Sequence, residues 1–240
     1  MKIYVMSDIH GCLAAFEEAL SLIDLSQADV MLILLGDYIH GGENSRGVLK
    51  KIMELQSEHG SDKVMALLGN HEEMALEGSS SIEHMTRCDD SFDELGDGAD
   101  YEAEDDRYLQ WMSDLPRYYA TEQQIFCHAG VDEEAGDLWE WSSDDSQYIW
   151  KYPAQTGPFC MDIIAGHVHT SRISGNPHFH DIYYDGESHY YIDGDTVSSG
   201  VVPVLMVDTE RNQYYRVTES GEWLILPYDE ENSNLKITIL

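Results

Sequence analysis

The fold class follows from residues 1–42, which read MKIYVMSDIHGCLAAFEEALSLIDLSQADVMLILLGDYIHGG. Two apolar runs of strand length, Ile3–Met6 and Val30–Leu35, flank a segment, Leu13–Ile23, in which apolar residues recur at helical spacing. A second helical pattern and a third apolar run, which ends at Leu68, continue this alternation. Because parallel neighbours in a sheet need a crossover connection, the β-α-β-α-β order predicts a parallel sheet covered by helices.

The second half of the chain is richer in strands than the first. Beyond Ala120, short apolar runs lie at Ile125–Cys127, Ile163–Ala165, Tyr190–Ile192, Val201–Val207, Gln213–Val217, Trp223–Leu226 and Leu235–Ile239. We expect them to form a second, largely antiparallel sheet, since turn residues separate several of them. The predicted fold class is therefore α/β, a two-sheet β-sandwich flanked by helices, with residues 1–240 as a single domain.

The composition is globular, but the charge is strongly acidic. Hydrophobic residues make up 42% of the 240 residues, and 13 Lys and Arg face 46 Asp and Glu, a formal net charge of −33. This balance argues against nucleic acid and against anionic membranes as partners, because both carry dense negative charge. Ten of the eighteen residues from Asp89 to Asp106 are acidic, and we interpret the region at about 78–106 as a solvated acidic insertion.

The cysteines and the apolar runs favour a cytoplasmic location. Cys12, Cys88, Cys127 and Cys160 show neither a C-x-x-C pair nor the spacing of a disulfide framework. The longest apolar run is far too short to cross a bilayer. We also expect no signal peptide at the beginning of the chain, because Asp8 ends its first apolar run.

Polar side chains follow five of the apolar runs directly. The five segments are Asp8-Ile9-His10-Gly11, Gly36-Asp37, Gly69-Asn70-His71-Glu72, His128-Ala129-Gly130 and Gly166-His167-Val168-His169. One such segment alone indicates only a turn. In a parallel sheet, however, the carboxyl ends of the strands meet at one edge, so five of them predict a common site there.

The residue types in these segments predict a metal centre. Carboxylate, amide and imidazole ligands without a thiolate pair suit manganese, iron or zinc better than calcium. The segments offer more ligands than one tetrahedral ion requires and enough for two divalent transition-metal ions. A pair of ions about 3.5–4 Å apart is suited to phosphate ester hydrolysis, because it clamps both the attacking and the leaving oxygen.

The order of these five segments resembles that of the calcineurin-like metallophosphoesterases. Within them, the chain is most similar to bacterial relatives of the phosphoprotein Ser/Thr phosphatases, from Met1 to about Val207. The resemblance implies that Asp8 and His10 bind one ion and that Asp37 bridges both. It also implies that a hydroxide bridging the ions attacks phosphorus.

The remaining site residues are also implied by the resemblance. Asn70, His128 and His167 would bind the second ion, and His71 would donate a proton to the leaving group. His169 stands where the phosphatase branch usually has Pro and where wider members have a His on the first ion, so we expect it to be a ligand.

Two positions depart from the phosphatase pattern. His40 stands where that pattern has the Asp that orients the catalytic His, and Gly41 stands in place of a phosphate-binding Arg. We therefore assign His40 to the catalytic pair with His71. Lys151, in the region of a second family Arg, and Arg46 are the candidate substrate-binding cations.

The sequence favours a phosphomonoesterase similar to the Ser/Thr protein phosphatases, acting on a phosphorylated small molecule or a phosphoprotein. A dinucleoside polyphosphate hydrolase is the alternative enzyme, since a related branch uses the same ligands. A metal-binding protein with little catalysis is the third possibility, motivated by the two lost residues.

Overall fold

The computed structural model of the protein describes residues 1–78 and 101–229. Two mixed sheets form its centre. The first sheet has six strands in the spatial order β11 (Gly221–Leu224), β10 (Gln213–Thr218), β9 (Leu205–Asp208), β1 (Lys2–Met6), β2 (Val30–Leu34) and β3 (Val64–Ala66). Strands β1, β2 and β3 are parallel, as the alternating pattern predicts.

The second sheet has five strands. Their spatial order is β4 (Tyr118–Ala120), β5 (Gln124–Cys127), β6 (Asp162–Ala165), β8 (His189–Tyr191) and β7 (Tyr183–Tyr184). Its three central strands, β5, β6 and β8, are parallel, and the two edge strands are antiparallel to their neighbours. The predicted two-sheet α/β class is confirmed.

The prediction of a separate, largely antiparallel second sheet is wrong in two respects. Strands β9, β10 and β11 join the first sheet, where β9 lies antiparallel to β1. The centre of the second sheet is parallel, because long connections rather than hairpins link β5, β6 and β8. Turn residues beside a strand indicate where the chain reverses, but they do not determine which sheet the strand joins.

Helices cover the outer faces of the sheets. They are α1 (Leu13–Leu20), α2 (Ser45–His59), α3 (Asn70–Leu76), α4 (Tyr101–Ser113), α5 (Trp139–Ser142), α6 (Asp145–Tyr148), α7 (Thr170–Ile173) and α8 (Thr196–Ser199), with a 3-10 helix at Glu133–Leu138. The side chain of Asn44 caps α2 by accepting from the Gly47 amide at 2.8 Å. Gly60, at φ 92°, ends that helix.

Alternate residues of the central strands face opposite layers. The layer between the sheets contains Ile3, Val5, Ile33, Phe126 and Ile164. The layer under the helices contains Tyr4, Leu32, Phe16, Val48 and Ile52. Because both faces of β1 and β2 are buried, their sequences are continuously apolar rather than alternating.

Some predictions fall on residues that the structure does not describe. The acidic insertion lies largely outside the described ranges, and so does the strand expected at Leu235–Ile239. The single-domain assignment stays a prediction. Among the described residues, no helix is long and apolar enough to cross a membrane.

Candidate metal centre

The loops that follow five strands converge at one edge of the two packed sheets. Asp8, Asp37 and Asn70 follow β1, β2 and β3, whereas His128 and His167 follow β5 and β6. Backbone hydrogen bonds tie neighbouring loops together. The Asp8 amide donates to Gly36 O at 3.2 Å, and the Gly166 amide donates to His128 O at 2.8 Å. The sheet topology thus brings together residues that are up to 159 positions apart.

Two glycines allow these loops to approach one another. A Cβ atom at Gly69 would lie 2.3 Å from the amide nitrogen and from Oδ1 of Asp37. A Cβ atom at Gly166 would lie 2.1 Å from Oδ2 of Asp8. Any side chain at either position would therefore displace a buried carboxylate of the site.

Backbone strain is concentrated in the same loops. Asp8, His10, Asp37, His40 and His167 all have φ between 49° and 70°, a region that residues other than glycine seldom adopt. Each such residue costs about 1–3 kcal/mol, and strain of this kind accumulates at functional sites. The surrounding fold therefore holds these side chains in directions that the free chain would not choose.

Asp37 lies at the centre of the cluster. Its Oδ1 accepts the His71 amide at 3.0 Å. Its Oδ2 faces the Nε2 atoms of three imidazoles, at 3.4 Å from His128, 3.7 Å from His10 and 3.8 Å from His71. These separations are too long for strong hydrogen bonds. They are the separations of atoms that each lie about 2.1 Å from a shared ion.

A second set of donors converges beside Asp37. Asn70 Oδ1 lies 2.9 Å from Nε2 of His128 and 3.0 Å from Nδ1 of His167. On the other side, Asp8 Oδ1 lies 3.8 Å from His10 Nε2, and both Asp8 oxygens accept the His167 amide. Asp37 thus lies between two groups of potential ligands, one with His10 and His71 and one with His128 and His167.

The electrostatics of the cluster are dominated by Asp37. Burial opposes its ionisation, but the imidazoles of His128, His10 and His71 outweigh burial, so the pKa of Asp37 lies well below its usual range. Burial also disfavours the charged form of His128, yet the Asp37 carboxylate raises the pKa of His128 to about 9. For His167, burial and the charge on His128 together lower the pKa to about 4. The carboxylate therefore attracts positive charge from its surroundings.

Glu72 holds the Asp37 loop against the beginning of α3. Its completely buried carboxylate accepts the amides of Asp37 and Tyr38 at 2.8 Å each and the amide of Gly69 at 3.1 Å. Burial and the charge of Asp37 raise the pKa of Glu72 to about 7. The sequence shows Glu72 beside the ligands but gives it no role, because its partners lie 34 and 35 residues away.

His40 and His71 form a hydrogen-bonded pair. Their Nδ1 atoms lie 2.7 Å apart, so one ring donates its proton to the other. Burial and the neighbouring His71 lower the pKa of His40 to about 4, which makes a neutral His40 the stable form. This contact fixes the ring of His71 so that its Nε2 faces Asp37 Oδ2.

His169 lies beside two carboxylates rather than in either ligand group. Its Nε2 is 3.8 Å from Asp193 and its Nδ1 is 3.7 Å from Asp195. Asp193 is itself buried, and burial together with the charge of Asp8 raises its pKa to about 7. Asp193 interacts electrostatically with Asp8, His10 and His169, and the role of His169 as a ligand stays a prediction. Sequence reasoning assigned Asp193 no role.

The two predicted substrate-binding cations each pair with a carboxylate. Lys151 Nζ lies 2.7 Å from both Glu133 and the Val131 carbonyl. Arg46 donates two hydrogen bonds of 2.9 Å to Asp105 on α4. Their role in substrate binding stays a prediction, although the Lys151 stem does pack on Gly130, two residues beyond His128.

The cluster fits divalent transition-metal ions. Buried carboxylates such as Asp8 and Asp37 are normally paired or coordinate a metal. His128 Nδ1 is buried without a hydrogen-bond partner among the described residues, and a buried polar group of this kind calls for an explanation such as a bound water or ion. The mixture of carboxylate, amide and imidazole donors matches manganese, iron and zinc.

Two packed sheets with carboxylate, amide and imidazole donors at one edge define a metal-binding α/β protein. The family follows from the sequence: the model of the calcineurin-like phosphoesterases matches residues 1–198, so the chain belongs to this family. The family uses divalent metal ions, and the relatives of this chain are named phosphoester hydrolases. The resemblance inferred from the five strand-end segments is confirmed.

The chain is similar to several known proteins in sequence and in structure. The symmetrical bis(5'-nucleosyl)-tetraphosphatase of Delftia acidovorans is 31% identical over 150 residues, which cover 60% of this chain and 48% of that protein. The chain spans about half the length of the curated relatives it matches. A putative diadenosine tetraphosphatase superposes with a TM-score of 0.57 at 16% identity, over 95% of this chain and 94% of that one.

A protein phosphatase shares the fold as well. The cold-active protein-tyrosine phosphatase of a psychrophilic Shewanella superposes with a TM-score of 0.64 at 14% identity, over 94% of this chain and 80% of that one. At this identity, the likeness shows a common fold alone. The relatives detected by sequence therefore carry more weight for the substrate than the structural neighbours do.

Proposed function

We propose that the protein hydrolyses a phosphoanhydride bond of dinucleoside polyphosphates. The observation that carries this proposal is the cluster around Asp37, in which one carboxylate oxygen lies between two groups of metal donors. The choice of substrate is supported by the curated relatives, which are named symmetrical bis(5'-nucleosyl)-tetraphosphatases. The alternative enzyme of the sequence analysis thereby takes precedence over the phosphomonoesterase.

The proposed ligands divide at Asp37. Asp8, His10 and His169 would hold one ion, Asn70, His128 and His167 would hold the other, and Asp37 would bridge the two. Manganese, iron and zinc are the metals proposed, because these ligands are oxygen and nitrogen atoms. Two divalent ions supply the Lewis acidity and the lowered water pKa on which the hydrolysis of phosphate esters and anhydrides by such sites depends.

His71 is the proposed proton donor to the leaving phosphate. Its Nδ1 is engaged with His40 and its Nε2 faces the cluster, so a proton on Nε2 points to where the substrate must lie. General acid catalysis requires such a group within hydrogen-bond reach of the leaving oxygen. His40 acts on the reaction by holding this ring, which makes it a positioning residue.

The remaining proposals concern the setting of the enzyme. The substrate proposed is a small nucleotide rather than a phosphoprotein. A cytoplasmic location is supported by the three described cysteines, Cys12, Cys127 and Cys160, which are all free thiols.

A panel of three substrates tests the proposal. Manganese-loaded protein would be assayed on diadenosine tetraphosphate, on a phosphoserine peptide and on an aryl phosphate, with the Asp37→Asn variant as background. We expect the highest kcat/KM on diadenosine tetraphosphate. A higher kcat/KM on the peptide would support a protein phosphatase instead. Rates at background on all three substrates would identify a metal-binding protein with little catalysis.

A further inference from the structure

The segment 148–152 is attached to the loop that follows β5. The amide of Ala129 donates to the carbonyl of Tyr148 at 2.7 Å. The ammonium of Lys151 donates to the carbonyl of Val131 at 2.7 Å. Since His128 begins this loop, the segment lies directly beside a proposed metal ligand.

The same segment is attached to α3 on its other side. The indole N–H of Trp150 donates to the Glu73 carboxylate. Glu73 lies one helical turn after Asn70, and residues three apart share a helix face. The segment 148–152 therefore connects α3, which begins at Asn70, with the loop that begins at His128.

Trp150 is fixed yet exposed. Its residue surface is 41% exposed, and that of the nearby Tyr152 is 66% exposed. The hydrogen bond to Glu73 holds the indole while its exposed ring face stays available, and covering an aromatic face is a large favourable contribution to ligand binding. Trp141 on α5 differs: it is 89% exposed, and its indole N–H has no partner within residues 1–78 and 101–229.

We propose that Trp150 forms a binding surface for a nucleobase by stacking on it. This inference rests on the proposed function, because it names the part of a nucleotide substrate that contacts Trp150. A protein with a net charge of −33 repels anionic groups away from the ions, whereas an uncharged base is not repelled. Stacking on a fixed ring accepts any base, since each base has a π face.

Binding of two ligands that differ only in the base tests this subsite. The ligands are the non-hydrolysable methylene phosphonate analogues of AMP and of ribose 5-phosphate, titrated into manganese-loaded protein by calorimetry. We expect the AMP analogue to bind about 5- to 150-fold more tightly than the ribose analogue, which is the range that stacking of one base provides. Equal affinity in the wild-type protein would overturn the proposal.

Three variants assign the preference to Trp150. Trp150→Leu is expected to abolish the preference for the base while leaving the affinity for the ribose analogue unchanged. Trp150→Phe keeps a ring without the indole N–H and is expected to restore most of the preference, and Trp141→Leu is the matched control with wild-type behaviour. An unchanged ratio in Trp150→Leu, even with both affinities lowered, would show that the residue only positions the segment.

The binding experiment and the substrate panel can give independent results, so the subsite and the proposed function can fail separately. A preference for the base that depends on Trp150 supports the subsite even if diadenosine tetraphosphate is a poor substrate, in which case the proposed function alone fails. Efficient hydrolysis of diadenosine tetraphosphate by Trp150→Leu with an unaltered KM would overturn the subsite and leave the proposed function intact.

Discussion

Two of the places where the described part of the chain buries ionisable side chains are built differently. One is the cluster around Asp37. The other, which we name the His189 network, is the chain of contacts formed by Lys151, Glu133, His189 and Asp185. In that network, Lys151 lies 2.7 Å from Glu133, and His189 lies 3.1 Å from Glu133 and 3.0 Å from Asp185. Every carboxylate in it has a cationic or imidazole partner at hydrogen-bond distance.

In the cluster around Asp37, the described polar groups are less completely paired with one another. The imidazoles face Asp37 Oδ2 at 3.4 to 3.8 Å, and His128 Nδ1 has no partner in the part of the chain that is described. The backbone is strained at Asp8, Asp37 and His167, whereas no member of the His189 network has a positive φ. Where buried charges satisfy one another, removing one partner destabilises the fold, because it leaves an uncompensated charge. Buried donors that converge without satisfying one another indicate a site for a cation.

The largest effect is expected for the bridging carboxylate. Asp37→Asn removes the charge shared by both ligand groups, so we expect manganese affinity to fall by more than about 100-fold, beyond what changing an outer residue of a metal site costs. Elemental analysis of the loaded protein checks this. Asp145→Asn is the matched control, because Asp145 pairs with Arg117 in an exposed salt bridge. Full metal content in Asp37→Asn would contradict the proposal that Asp37 bridges the two ions.

A large loss of rate without loss of metal is expected for His71. His71→Asn should lower kcat by about 10²–10⁴-fold, the usual contribution of a general acid or base, while elemental analysis finds wild-type metal content. His178→Asn, an exposed histidine outside the cluster, is the control. Equal losses of metal and of rate in His71→Asn would instead make His71 a ligand, in line with its distance from Asp37.

A smaller effect is expected for the buried carboxylate behind Asp37. Glu72→Gln replaces one acceptor oxygen by an NH₂ group that faces backbone N–H donors, which loosens the Asp37 loop. We expect manganese affinity to fall by about 10- to 100-fold in a calorimetric titration. The exposed Glu77→Gln, one residue beyond the end of α3, should behave as wild type. Wild-type affinity in Glu72→Gln would show that the Asp37 loop keeps its conformation without Glu72.

The His189 network should affect stability rather than hydrolysis. Burial disfavours the imidazolium of His189, but Glu133 and Asp185 outweigh burial and raise its pKa. Its contribution to the free energy of unfolding is therefore complete below the pKa of an unfolded histidine and is lost as the pH rises through the raised value. We expect His189→Gln to cost about 3 kcal/mol at about pH 6 and less at about pH 9.

Denaturant unfolding at both pH values measures this difference, with His178→Gln as control. Metal content should not change in His189→Gln. A stability gap that widens with rising pH would contradict the assigned charge of His189, and loss of metal would contradict the separation between the two regions.

The sequence predicts the position of the cluster better than its internal contacts. Asp8, Asp37 and His128 each follow an apolar run, and the rule that parallel strands end at one edge suffices to bring them together. The roles of Glu72 and Asp193 were not predictable, because their partners come from other loops. The pairing of Lys151 with Glu133 could not be foreseen either, since many carboxylates compete for few cations in so acidic a chain.

The sheet assignment failed for a related reason. The apolar run that becomes β9 fits the edge of either sheet, and only its packing against β1 decides between them. Local pattern therefore predicts where a strand lies in the chain, whereas its neighbours are determined by the assembled core.

We expect the donors around Asp37 to bind two metal ions and the His189 network to bind none. Anomalous diffraction from crystals of the manganese-loaded protein tests this directly. We expect two peaks, one beside His10 and Asp37 and the other beside Asp37, Asn70 and His128, with His169 turned towards the first. A single peak, or a peak at the His189 network, would contradict the account.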